Sequence, residues 1–169
     1  MQESETRDVN VMSTVSLLSP IELVSKLPLS PKVEETVLEG RKQIQSILRG
    51  EDGRFLVITG PCSIHDEKAA LEYAERLAEL SRRLSDRMLM VMRVYFEKPR
   101  TTVGWKGLLY DPLMNDSFDI AAGLERCRKL LIQIASHMRF SKPSDSKPAR
   151  LSSSLLRRVQ VWRRYLSLL

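Results

Sequence analysis

The sequence has only two cysteines in 169 residues, which leaves no material for a disulfide framework. Cys62 stands in a Gly-Pro turn and Cys127 within a helical pattern, so both are read as reduced thiols of a cytoplasmic protein. No apolar run reaches the ~18 residues that a membrane span requires. The opening "MQESETRDVN" is polar and acidic without an apolar stretch, so no secretory signal is visible. There is no internal repeat. What remains is ordinary globular composition, 43% hydrophobic and 28% charged, in a length suited to one domain.

Acidic residues are scarce in one place only. From Met138 to Leu169 there is one acid against eight Lys and Arg, whereas residues 1–137 carry 19 basic and 20 acidic side chains. The net charge of +6 therefore belongs to the last 32 residues and is no sign of a nucleic-acid surface on the rest of the chain.

Residues 1–18 read as a polar arm. "SPIELVSKL" is a short helix with Ser19 as N-cap and Pro20 in its first turn. "PKVEETVLEGRKQIQSILRG" sets Val33, Val37, Ile44, Ile47 and Leu48 on one helical face and ends at Gly50. The run Phe55–Thr59 is short and continuously apolar, as in a strand covered on both faces. Asp66 caps a helix whose stripe is Ala70, Tyr73, Ala74, Leu77, Ala78 and Leu84. "RMLMVMRVYF" is a second buried strand. Strand, helix, strand is a βαβ unit, which predicts a parallel pair and an α/β fold. The long segment "EKPRTTVGWKGLLYDPLMNDSFD" follows, and structureless segments of that length are usually functional. The helix "IAAGLERCRKLLIQIA" comes next, with Ile120, Leu124, Cys127, Leu131 and Ile134 on one face.

Both long turns leave the C-terminal ends of strands, the edge where α/β folds bind ligands. That topology brings Cys62 close to the basic segment starting at Arg93. Arg93, Lys98, Arg100 and Lys106 are then expected to converge on one crevice and call for an anionic ligand. Arg presents a planar fork, Lys a point charge, and Thr101 and Thr102 add hydroxyls and N–H donors. Pro99 stiffens the turn and reduces the ordering entropy lost on binding. Plainer readings stand beside these. Arg93 is also read as half of a structural ion pair, Lys98 and Arg100 as a solvated turn, and Cys62 as a small buried hydrophobe. His65 adds a little to a metal reading of Cys62, but one Cys and one His are a weak signal. Cys127 and Trp105 are read as packing residues.

"GPCSIHD" at 60–66, followed by "MRVYFEKPRTTVGWKGL" at 92–108 and "DPLMNDSFDIAAGL" at 111–124, resembles the class I 3-deoxy-D-arabino-heptulosonate 7-phosphate (DAHP) synthases. The likeness runs from about Ser19 to Ala135, and more weakly through "TRDVNV". It implies the N-terminal portion of a (β/α)8 TIM barrel, with residues 1–50 as an oligomer-forming and regulatory extension and 51–136 as the first two βα units. The implied activity joins phosphoenolpyruvate to D-erythrose 4-phosphate and releases phosphate, the entry step of the shikimate pathway. The implied cofactor is a divalent metal (Mn, Fe, Co or Zn) with Cys62 as one ligand. Arg93 and Lys98 would hold phosphoenolpyruvate and act in catalysis, and Lys98, Pro99, Arg100 and Thr101 would line the erythrose 4-phosphate site. A homo-oligomer is implied, with no nucleic-acid or membrane partner.

The resemblance stops where the composition changes. Residues 137–169 are read as a foreign basic tail, expected to be disordered and to arise from a frameshift, so that the chain is a truncated form of low activity. The rival reading is a non-catalytic partner that pairs with a full-length synthase. A third reading takes "LLRRVQVWRRYLSLL" as a basic amphipathic helix for anionic surfaces.

Overall fold

The computed structural model describes residues 14–100 and 103–138. The basic tail from 139 onward, the first thirteen residues of the arm, and Thr101 and Thr102 lie outside the described residues. Residues 14–18 are exposed and have no regular structure.

Helix α1 spans Pro20–Lys26 and starts as expected. Ser19 accepts from the Glu22 N–H while the Glu22 carboxylate accepts from the Ser19 N–H, a reciprocal capping box. None of its residues is buried. It is held by polar contacts to the last helix: Lys26 pairs with Glu125, and Arg128 donates to the Leu27 carbonyl at 2.9 Å. Helix α2, Pro31–Leu48, is capped by Ser30 and followed by Gly50 at φ +77°, a backbone state that glycine takes without strain.

Strand β1 (Phe55–Thr59) and strand β2 (Met88–Met92) pair in parallel, Phe55 beside Met88 through Thr59 beside Met92. Helix α3, Glu67–Arg83, connects them and begins at Asp66, whose carboxylate accepts from the Lys68 and Ala69 N–H groups. Helix α4 spans Ile120–His137. The α/β reading and the parallel pair are thus found. The sheet has the period-two alternation of strands. Leu56, Leu89 and Val91 pack on Ile44 and Ile47 of α2, while Val57, Met90 and Met92 pack toward Leu77 of α3. Each of these side chains contributes on the order of 1.5–3 kcal/mol when fully buried.

The expectation that β1 is buried on both faces is only half met. Helices cover both faces, but Phe55 is 48% and Ile58 40% exposed. Among the described residues β1 has one strand neighbour, β2, so its outer flank is open. The stripe of α4 is also rotated from the expected one. Gly123, Cys127, Leu130 and Ile134 are its buried residues, and Ile120, Leu124 and Leu131 are half-buried. On α2, Leu48 is exposed, and Gln43 takes a buried place. Gly123 explains the turn of α4: a Cβ there would lie 2.0 Å from the Leu109 carbonyl oxygen, so α4 presses directly on the segment that leaves β2. Met138, just past α4, packs with Leu77 and Met90, so the folded part extends slightly beyond residue 136.

Candidate functional site

At the C-terminal ends of the strands the parallel ladder continues into the loops. Arg93 donates its backbone N–H to Thr59 O at 2.7 Å, and Ile64 donates to Tyr95 O at 2.8 Å. The turn 60–64 is thereby laid along the backbone of 93–95. Gly60 is required there, because a Cβ would come within 2.2 Å of the Arg93 carbonyl oxygen. Ile64 anchors the turn from below in a cluster with Ala70, Ala74, Leu108 and Cys127.

The side chains follow from this backbone. The Arg93 guanidinium donates to Pro61 O at 2.6 Å and Cys62 O at 2.9 Å, and it lies 4.8 Å from the centre of the Tyr95 ring. Lys98 reaches across to Cys62, with Nζ 3.1 Å from Sγ. That hydrogen bond first, and then the Lys98 and Arg93 charges, hold the exposed Cys62 thiol below its ordinary pKa. Cys127 is the opposite case, buried and pushed up to about 12 by desolvation. The expected meeting of Cys62 with Arg93 and Lys98 is therefore found, and Cys62 is not a buried hydrophobe. Nor is Arg93 half of an ion pair: neither it nor Lys98 has a carboxylate partner among the described residues.

Arg100 and Lys106 lie on the two arms of a hairpin-like loop. Lys98 N–H donates to Lys106 O at 2.7 Å, Arg100 Nε donates to Trp105 O, and Lys106 Nζ lies 3.4 Å from Arg100 O. Pro99 and Arg100 are exposed. Arg93 and Lys98 are thus brought together on Cys62, whereas Arg100 and Lys106 are tied to the loop's own backbone. Gly107, at φ +116°, lets the returning strand of the loop touch Phe96 O, where a Cβ would sit at 2.2 Å. Trp105 is a packing residue as expected, and its indole N–H donates to Asp111 O at 2.8 Å. The His65 and Trp105 rings stand nearly perpendicular, with their centres 6.4 Å apart. Among the described residues no three His, Cys, Asp or Glu side chains come together, so Cys62 offers a single sulfur donor and no complete metal centre.

Sequence reasoning missed Tyr95, Gly60 and Asp111. Asp111 is 2% exposed and accepts from the N–H groups of Asn115 and Asp116, ordering a segment in which Met114, Asp116 and Phe118 all have positive φ. "DP" followed by Asn and Asp was the available signal for such a turn.

The sequence between residues 28 and 145 matches the model of the DAHP synthetase I family. The chain belongs to this family. Curated relatives of the DAHP synthetase I family include the phospho-2-dehydro-3-deoxyheptonate aldolases of Escherichia coli K12. The Tyr-sensitive enzyme is 48% identical over 136 residues, 80% of this chain and 38% of the relative. The Phe-sensitive enzyme is 53% identical over 127 residues, 75% of this chain and 36% of the relative. The solved phospho-2-dehydro-3-deoxyheptonate aldolase of Francisella tularensis SCHU S4 is similar with a TM-score of 0.71 and 43% identity, over 75% of this chain and 37% of that one. The chain thus spans less than two-fifths of the length of these relatives. The family match also runs beyond Ser136, into the segment expected to be foreign.

Proposed function

We propose that this chain carries the phosphoenolpyruvate-binding corner of a DAHP synthase. The overall reaction is phosphoenolpyruvate plus D-erythrose 4-phosphate plus water giving DAHP plus phosphate. The observation that carries the reading is the pair of cations, Arg93 and Lys98, drawn onto the Cys62 turn at the C-terminal ends of two parallel strands, with no carboxylate among the described residues to neutralise them. Likeness to phospho-2-dehydro-3-deoxyheptonate aldolases supports the choice of substrate.

Phosphoenolpyruvate brings a phosphate and a carboxylate, and erythrose 4-phosphate brings a second phosphate. Two such anions repel, so a site that joins them needs fixed cations. Arg93, held by two backbone carbonyls and the Tyr95 ring, is preorganised to present its remaining N–H groups to an anion. Lys98 can turn from the Cys62 sulfur to a phosphate oxygen by rotating its stem. Pro99, Arg100 and Thr101 continue from Lys98 as the erythrose 4-phosphate side. Cys62 would be one ligand of the family's divalent metal, and the described residues do not supply the others. In this reading the βαβ unit is the start of a (β/α)8 barrel and residues 1–50 are its oligomer-forming, regulatory extension.

Titration calorimetry with phosphoenolpyruvate tests the binding half of the proposal, and phosphoenolpyruvate consumption with erythrose 4-phosphate and Mn2+ tests the catalytic half. Binding weakened about 10- to 100-fold in both Arg93→Ala and Lys98→Ala is the expected result. Folded protein that binds no phosphoenolpyruvate would refute the assignment. A second reading, a non-catalytic partner of a full-length synthase, draws on the exposed apolar residues Val15, Leu17, Ile21, Val24, Phe55 and Ile58. Mixing the chain with such a synthase and measuring the mass of the complex decides it.

A further inference from the structure

Residues 93–96 run on from the end of β2, and successive side chains of such a segment point to opposite sides. Val94 and Phe96 pack against the core cluster that includes Leu108 and Leu130. Tyr95, between them, joins none of the three apolar clusters of the described residues. It shares its side with Arg93, and its ring centre lies 4.8 Å from the guanidinium carbon. A ring that served the core would face the core, whereas this one faces a cation. The bonds that Arg93 makes to Pro61 O and Cys62 O both come from Nη1. Its Nε and Nη2 groups have no hydrogen-bond partner among the described residues. Nη1 is therefore committed, and the Nε–Nη2 edge is the fork left for a ligand. A guanidinium held through Nη1 alone could still pivot about that nitrogen and swing the fork with it. The Tyr95 ring is the second contact, which restrains that pivot.

We propose that Tyr95 is a positioning residue for anion binding: its ring fixes the Arg93 guanidinium so that the Nε–Nη2 edge is set for a carboxylate or phosphate before the ligand arrives. The inference rests on the phosphoenolpyruvate reading and extends it by one residue. A fork of two N–H groups matches two oxygens of a carboxylate or phosphate, and that match depends on orientation where a point charge does not. Orientation fixed in advance leaves less freedom to lose on binding. A carboxylate could hold the arginine equally still, but it would neutralise the charge that the anion needs. The face of an aromatic ring attracts the cation and leaves its full charge in place.

Calorimetry with phosphoenolpyruvate on the full chain tests this. Tyr95→Leu should weaken binding about three- to tenfold and shift the melting temperature by less than about 3 °C. Tyr95→Phe, which keeps the ring, should bind within about twofold of wild type. In an Arg93→Ala chain, adding Tyr95→Leu should change the affinity by less than about twofold, because the ring acts through the arginine. Wild-type affinity in Tyr95→Leu would overturn the proposal. So would an equal loss in Tyr95→Phe, which would assign the effect to the hydroxyl. An undiminished loss in the Arg93→Ala background would also overturn it, since the ring would then act without the arginine. A melting temperature for Tyr95→Leu that falls as far as that of Arg54→Ala would make the ring a structural support and overturn it as well. If wild type binds phosphoenolpyruvate and Lys98→Ala weakens binding but Tyr95→Leu does not, the site stands and only the role of Tyr95 falls. If folded wild type binds none, both fall together.

Discussion

Two arginines bracket the small sheet and illustrate opposite uses of the same side chain. Arg54, just before β1, is 2% exposed. It is bidentate to Asp52, donates to Gln43 Oε1 at 2.7 Å, and reaches Ser85 O at 3.2 Å. These contacts join the end of α2, the start of β1 and the turn before β2. Arg93, just after β2, is half-buried and meets only carbonyls and a ring. Where the charge is matched by a carboxylate the arginine is architecture. Where it is matched only by backbone dipoles, a full negative charge can still be added. This agrees with the general division of α/β proteins, in which the N-terminal ends of strands serve stability and the C-terminal ends serve ligands.

The strongest way to break that comparison is to remove both arginines separately. Arg54→Ala leaves Asp52 buried and unpaired, and it should destabilise the chain by about 3–5 kcal/mol in urea unfolding. Burial works to raise the Asp52 pKa, yet the hydrogen bonds and charge of Arg54 outweigh it and leave the carboxyl below its usual value. A lowered folded pKa adds stability that is present above the unfolded value of about 4 and is lost as pH falls through the folded one. The gap between wild type and Arg54→Ala should therefore narrow below about pH 4. Arg93→Ala should do the reverse of Arg54→Ala. Phosphoenolpyruvate affinity should drop about 10- to 100-fold while stability changes by less than about 1 kcal/mol. If Arg93→Ala unfolds the chain as Arg54→Ala does, the distinction is lost.

Smaller changes sharpen the picture at the ligand end. Gly60→Ala forces a methyl against Arg93 O and should cost about 1–3 kcal/mol while also displacing the Cys62 turn, visible as a lower melting temperature together with weaker phosphoenolpyruvate binding. Lys98→Met removes the hydrogen bond and charge that favour the Cys62 thiolate, so the pH midpoint of iodoacetamide alkylation should move up toward the ordinary thiol range. In the native chain only one thiol should react, because Cys127 is buried and its pKa lies near 12.

The elements were largely legible because their signals are local. Ser19 and Asp66 cap helices as the sequence analysis expects, and two apolar runs around one amphipathic helix give the parallel pair. The meeting of Cys62 with Arg93 and Lys98 followed from that topology. What was hidden depends on contacts between distant segments. Nothing in "EDGR" distinguishes a solvated turn from the buried Asp52–Arg54 pair, since its partners Gln43 and Ser85 come from elsewhere. The preference of α4 for Leu130 over Leu131 follows from Gly123 pressing on Leu109, and the half-exposure of Phe55 and Ile58 from the open flank of β1. Gly60 reads as an ordinary turn glycine until Arg93 is seen against it.

The bond from the Trp105 indole to Asp111 O gives the basic loop an optical label of its own. The sequence has two tryptophans, Trp105 and Trp162. Replacing Trp162 with Phe would leave one chromophore, half-buried beside His65 at the base of the loop that carries Lys98, Arg100 and Lys106. Its emission maximum and its accessibility to acrylamide would then report the order of that loop directly in solution, in titrations where no product is formed.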